Sequence, residues 1–181
     1  MSLNGFTRET EFAFRSTTDP ALVSQSDIDA LIREAKATST GRARLLLHET
    51  ADSVLQDMVI ALPFDSCDHP HINYKSGKTF LALSGQFAVM CGNDDGSEIV
   101  AHVLSAGEAC GAGARVCHLR APVWHTIIPL AGDTVFLETI IGPFTGNYFA
   151  EWFPKSDDVA AREAFAEKFR QLARRAAAGL A

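Results

Sequence analysis

Two histidines stand one residue apart in Asp68-His69-Pro70-His71, and a third closes Pro122-Val123-Trp124-His125 far along the chain. In an extended segment residues i and i+2 point to one face. His69 and His71 can therefore aim two nitrogens at one point while Pro70 stiffens the backbone between them. Three imidazoles with an open coordination position suit catalysis at a divalent ion better than a closed structural site. Zinc, iron, manganese and nickel all accept imidazole, so the ligand type does not select the metal. The competing reading of the His-x-His pair is two exposed or internally hydrogen-bonded rings. His125 tips the balance, because it opens a predicted strand and strand starts converge around a barrel mouth.

Further side chains surround this constellation. Glu138 sits mid-strand in an apolar run, where a carboxylate is costly unless paired or metal-bound. It is read either as a further ligand or as one half of a salt bridge with an arginine. Cys67 extends the pattern to Cys67-x-His69-x-His71 and is read as a thiolate ligand or a small buried hydrophobe. His48 is a cavity-lining candidate, with a hydrogen-bonded core histidine as the alternative. Asp65 and Asp68 read as solvated turn residues, and Trp124 as a core residue. Tyr74 and Lys75 lie on a loop over the expected mouth, His102 reads as solvent-facing, and the face of His118 is left open.

The elements that must position these groups are mostly strands. Ser26–Lys36 reads as a short helix capped by Ser26, with Ile28, Leu31 and Ile32 as its apolar stripe. Met1–Pro20 either wraps the surface or pairs as an edge strand. Strands are predicted at 43–48, 54–62, 79–90, 99–104, 115–119, 124–129 and 134–141. Asn93-Asp94-Asp95-Gly96 is a strong hairpin turn and Ala131-Gly132-Asp133 a weaker one. Many short strands at this spacing indicate an antiparallel sandwich or barrel. A closing helix is predicted over 156–178, capped by Ser156 or Asp157, with Phe165, Phe169 and Leu172 as its packing stripe.

Composition sets outer limits. The chain has 181 residues, 47% hydrophobic and 21% charged, which suits one substantial core. A net charge of −6 argues against nucleic acid or an anionic membrane as partner. No apolar run approaches the roughly 20 residues that span a bilayer. The N-terminus lacks a signal-peptide pattern. Cys67, Cys91, Cys110 and Cys117 form no Cys-x-x-Cys pair and are expected reduced, so a cytoplasmic setting is the expectation.

From about Arg42 to Pro154 the chain resembles the cupin superfamily, and more narrowly the WbuC family of cupin-fold metalloproteins. Arg42-Ala43-Arg44, His48-Glu49, His69-Pro70-His71, Phe80–Gly85, Pro122–Thr126, Val135–Glu138, Gly142-Pro143-Phe144 and Phe149–Pro154 carry the resemblance. It implies a mostly β, single-domain cupin: a small antiparallel jelly-roll barrel over 42–154, an N-terminal extension with a short helix over 1–41, and a C-terminal helix over 155–181. A zinc, iron, manganese or nickel ion would lie inside, held by His69, His71 and His125, with Glu138, Cys67, Lys78 or His48 as further ligands or supports.

One departure stands out. Cupins commonly carry a glutamate ligand shortly after the His-x-His pair, and Lys78 stands at the corresponding place here. An ammonium about 5 Å from a dication is repelled by roughly 6–7 kcal/mol at an effective dielectric of 20. Lys78 must point away, lose its proton or replace the metal, and pointing away is the cheapest. The function expected is a metal-binding cupin acting as a sugar isomerase or epimerase in surface-polysaccharide metabolism, with a dioxygenase less favoured. The alternative is a non-enzymatic cupin that binds a small ligand at a degenerate metal site. A homodimer is expected, with the terminal helices either covering sheet faces or joining the subunits.

Overall fold

The computed structural model describes residues 3–74, 77–106, 113–120, 122–155 and 157–179. The described elements follow in the order β1 (Phe6–Arg8), β2 (Ala13–Ser16), α1 (Gln25–Ala37), β3 (Ala43–Leu46), β4 (Leu55–Leu62), β5 (His71–Ile72), β6 (Lys78–Gly92), β7 (Ile99–Ser105), β8 (Val116–Leu119), β9 (Trp124–Ile141), β10 (Tyr148–Phe149) and α2 (Val159–Ala177).

Two long strands organise the rest. β6 and β9 pair antiparallel from Lys78↔Ile140 to Gly92↔Trp124, with register shifts between Ala82 and Phe87. Gly85 lies at that break with φ of +76°, and a Cβ there would sit 2.5 Å from the Asp133 carbonyl oxygen. Only glycine takes that conformation without penalty while letting the backbones approach so closely. Both strands turn the corner together. Ala131-Gly132-Asp133 is accordingly a bend inside one continuous strand, not the hairpin turn between two strands that its residue types suggest.

Each long strand therefore serves two layers. The first half of β6 and the second half of β9 join β4, β3, β2, β1 and β8. The second half of β6 and the first half of β9 join β7, β5 and β10. All pairings are antiparallel except β2 with β3. The result is the expected mostly β jelly roll with two helices, although the described pairings do not close into a ring. The segment before residue 42 is part of this sheet, since β2 pairs with β3.

Strand alternation sorts the apolar residues into three cores. Met58, Ile60, Phe80, Phe87, Val89, Ile127 and Phe136 face inward between the layers. Leu45, Val59, Ala61 and Val135 face outward beneath Leu31 and Ala35 of α1. Ala88, Met90 and Ile128 face outward beneath Phe169 and Ala173 of α2, where Phe165 and Leu172 also pack. Both helices thus cover sheet faces.

Local signals decide the helix starts. Ser24, not Ser26, caps α1, because Asp27 stands three residues on and completes a capping box with it. Asp158 caps α2 through the Ala161 amide, and α2 begins at Val159. Asp157, one of the two caps expected from sequence, is therefore displaced by its neighbour, and Ser156, the other, lies outside the described residues. The Asn93–Gly96 turn links β6 to β7 as its composition indicates. Among the described residues no helix is long and apolar enough to cross a membrane.

The bend at Gly85 gives a direct test. Gly85→Ala must relieve both a positive φ and a backbone clash, so it should lower the stability read from urea unfolding by more than about 1 kcal/mol. An unchanged midpoint would mean that the corner is not held at this residue.

Candidate functional site

The inward faces of the two layers enclose a cavity of about 770 Å³. His71 opens β5 and pairs directly with His125 of β9, so their rings come within 4.5 Å, centroid to centroid. His71 Nδ1 lies 3.1 Å from the His69 carbonyl oxygen, and His125 Nδ1 lies 2.8 Å from that of Val123. A carbonyl only accepts, so each Nδ1 carries the proton and each Nε2 presents a lone pair. His125 Nε2 is buried with no partner among the described residues.

Lys78 enters from the opposite layer. It is the first residue of β6 and shares an inward face with Phe80. Its side chain does not point away: the residue is 4% exposed. Its Nζ lies 3.3 Å from His71 Nε2, to which it donates, and 3.7 Å from Glu138 Oε2. Glu138 reaches this point because it faces inward between Phe136 and Ile140 on β9. The partner of Glu138 is therefore the lysine, where sequence suggested an arginine.

This cluster keeps both imidazoles neutral. Burial, followed by the Lys78 charge, pushes His125 down to about 4. Burial, then Lys78, then His125 itself, hold His71 well below the ordinary histidine range. A cation beside a dry ring opposes a second positive charge on it.

The remaining residues singled out from the sequence separate. His69 is half-buried, its Nε2 lies 2.9 Å from the Ala150 carbonyl, and its ring packs on Phe153 and Phe149 at 4.7 and 5.3 Å. It lines the cavity without joining His71 and His125 at Lys78. Cys67 also lines the cavity, but burial pushes its thiol up to about 11, so it stays protonated among the α2 contacts. His48 lines the cavity with Nδ1 3.2 Å from the Asp57 carbonyl. Asp68 is no solvated turn residue, because Arg42 Nη1 holds it at 3.0 Å. Asp65 is exposed. Trp124 is only half-buried and donates to Asp94 from its indole, a surface anchor where a core residue was expected. His118 is exposed and 2.9 Å from Thr79 Oγ1, and His102 is exposed. Tyr74 is exposed beside Tyr148. Lys75 and Cys110 lie outside the described residues.

Sequence reasoning missed two arginines that line the cavity in the same layer as Lys78 and Glu138. Arg42 and Arg44, two positions apart at the start of β3, share a face and line the cavity together with Arg15 of β2. Their guanidinium carbons lie 5.8 and 5.3 Å from the Phe12 ring centroid. The parity of the two arginines in a predicted strand was the available signal. It was passed over because charged strand residues ordinarily face water.

A divalent metal fits this arrangement poorly. Two Nε2 lone pairs and the Glu138 carboxylate form a plausible partial donor set, and the backbone bonds at both Nδ1 atoms are those that metal-bound histidines commonly make. The buried ammonium of Lys78 stands against the same atoms. No group of three or more His, Cys, Asp or Glu among the described residues is arranged to hold a metal ion.

The comparisons with known proteins agree with the fold. A family model described as a domain of unknown function, DUF6016, matches residues 23–104. No curated protein matches the chain. Protein SO0799 from Shewanella oneidensis is similar over 81% of this chain and 94% of its own, at 11% identity and a TM-score of 0.52. CapF, a capsular polysaccharide assembling protein from Staphylococcus aureus, is similar over 60% of this chain at 19% identity and a TM-score of 0.50, and the match spans 31% of its length. Oxalate oxidase in complex with glycolate is similar over 79% of this chain and 76% of its own, at 14% identity and a TM-score of 0.49. The chain has the cupin fold.

Two measurements probe the cluster. A histidine held neutral binds fewer protons folded than unfolded, so stability must fall as pH drops from 6.5 toward 4. His125 alone should cost about 3 kcal/mol over that window, at 1.36 kcal/mol per unit. Urea unfolding at pH 7 and pH 4.5 should show a smaller drop in His125→Gln than in the native chain, and equal drops would count against a neutral buried His125. Separately, Glu138→Ala strands a buried ammonium and should destabilise by about 3 kcal/mol. Lys78→Met combined with Glu138→Gln should recover most of that loss, and additive losses would show that the two side chains are not coupled.

Proposed function

We propose that this protein is a cupin that binds a small organic molecule in its cavity, with the Lys78 ammonium standing where a divalent cation would otherwise lie. One observation carries the reading: a 4% exposed lysine places Nζ 3.3 Å from His71 Nε2 and 3.7 Å from Glu138 Oε2. An ammonium offers three donors and a compact charge to a ligand oxygen, so the pocket keeps an electrophilic centre without coordination chemistry. A cavity of about 770 Å³ suits a small ligand. Phe144 and Phe149, both exposed, supply apolar rings among its lining residues.

The resemblance to the WbuC family supports a sugar-derived ligand connected with surface-polysaccharide metabolism. CapF is a capsular polysaccharide assembling protein, and the likeness to it is one of fold. A cytoplasmic setting belongs to the same proposal and accords with the free thiols of Cys67, Cys91 and Cys117. So does a homodimer, for which the exposed cross-strand pair Leu55↔Ile141 offers an apolar surface.

The metal-dependent isomerase or epimerase, with His69, His71 and His125 as ligands, makes an opposite demand. It requires Lys78 to withdraw and His69 either to ligate through Nδ1 or to release the Ala150 carbonyl that holds its Nε2. Metal analysis of chelator-free protein separates the two. The native chain and His125→Ala should hold the same substoichiometric metal, and added zinc or manganese should leave the native melting temperature unchanged. One ion per native chain, lost in His125→Ala, would overturn the metal-free reading.

A further inference from the structure

Six buried side-chain atoms lack a hydrogen-bond partner among the described residues, and four of them belong to residues lining this one cavity: Arg42 Nε, Arg44 Nε, His125 Nε2 and Asn147 Oδ1. An unmet buried polar group costs about 1–3 kcal/mol. Their concentration in a single pocket points to a polar occupant. They are two donors, on the arginines, and two acceptors, on His125 and Asn147. The β3 wall offers donors, whereas His125 offers an acceptor, its Nδ1 proton being committed to the Val123 carbonyl.

The charges are sorted in the same way. Of the carboxylates near the cavity, Glu138 is paired with Lys78, Asp68 with Arg42, and Glu9 with Arg15. Arg44 makes no ion pair and no hydrogen bond from its guanidinium among the described residues, and the Phe12 ring is its nearest aromatic contact. Burial and then the neighbouring Arg42 charge lower its pKa to about 10, against the attraction of Glu138 and Asp68. A guanidinium is rarely left this way, because its planar fork is built for the bidentate oxyanions of carboxylate and phosphate.

Where the two layers face each other at His125 and Lys78, a hydroxyl can meet both groups at once. It donates to His125 Nε2 and accepts from Lys78 Nζ. A bare anion would satisfy the lysine and leave His125 Nε2 without a donor, and an apolar group would satisfy neither.

We infer that the cavity takes a hydroxylated organic anion, its carboxylate or phosphate bound by Arg44 beside Arg42 and a hydroxyl seated between His125 and Lys78. This deepens the proposed function and rests on its reading of the cavity as a ligand site. The occupant is thus distinguished from a neutral sugar by its charge, and from a simple acid by its hydroxyl.

Calorimetric titration of the full chain in EDTA provides the test. The probes are D-glucuronate, D-glucose 6-phosphate, D-glucose and acetate, and the proteins are the native chain, Arg44→Met and His125→Phe. Glucuronate or glucose 6-phosphate should bind at least tenfold more tightly than glucose or acetate, and whichever of the two is tighter identifies the anionic group. Arg44→Met removes a buried cation that makes no ion pair or hydrogen bond of its own, so its melting temperature should not fall, while its affinity for the anion drops at least tenfold. His125→Phe should weaken the hydroxylated anions and leave acetate unaffected. Glucose binding as tightly as glucuronate, or Arg44→Met binding the anions as well as the native chain, overturns the inference while the ligand site itself stands. Binding of no probe in EDTA, with binding restored by added zinc, defeats the metal-free reading beneath it. Binding of no probe under either condition overturns the inference.

Discussion

A lysine ammonium held inside an apolar jelly roll, between an imidazole lone pair and a carboxylate, sets the terms for everything around it. Isolated, such a charge is too costly to bury. Here it is offset by Glu138 and by the hydrogen bond to His71. The same charge adds to burial in setting the state of its neighbours. His71 and His125 stay neutral first because they are buried away from water, and then because Lys78 opposes further positive charge in that volume. Neutral rings whose Nδ1 protons are held by the His69 and Val123 carbonyls then have only Nε2 lone pairs to present, so burial, backbone and Lys78 together set the chemistry of the inner wall.

The fold brings these groups together by bending two strands. β6 starts in one layer with Lys78, and β9 ends in that layer with Glu138 but begins in the other with His125. A straight pair of strands would leave Lys78 and His125 at opposite ends of a flat sheet. The corner at Gly85 and Gly132 folds the two halves face to face. Helices α1 and α2 back the two layers from outside, so the inner faces remain free to line a cavity while the outer faces are buried.

Much of this was legible from residue types. Alternation and turn composition gave the longer strands, the Asn93–Gly96 hairpin and the α2 stripe, because those signals are local, while the two-residue β5 and β10 carry no such signal. The arrival of His125 in the cavity followed from its placement at a strand start. What failed depended on where a neighbouring chain runs. Ala131-Gly132-Asp133 looks like a turn, and only the matching bend in β6 makes it a corner. His69 has the parity of a partner to His71, yet the Ala150 carbonyl beyond β10 captures its Nε2. Lys78 is cheapest pointing outward when its neighbour is a divalent ion. Against Glu138 and a neutral His71 the inward position becomes favourable. Arg44 was overlooked for a related reason: a strand arginine facing inward looks costly until the cavity behind it is known.

Replacing a cation by an ammonium changes what the pocket must do by other means. A metal fixes a ligand's angle and distance through its coordination geometry while it withdraws electron density. An ammonium on a four-carbon stem is a point charge with rotatable donors and fixes neither. Orientation must then come from a second, more rigid contact some distance away. The guanidinium pair on β3 meets that requirement, because a planar fork holds an oxyanion in one plane. Phe12 beneath both arginines restrains them, and the Asp68 bond fixes Arg42 in addition. That Arg44 makes no ion pair of its own follows from this division of labour. A carboxylate from the chain itself, seated on Arg44, would fill the place that the ligand needs.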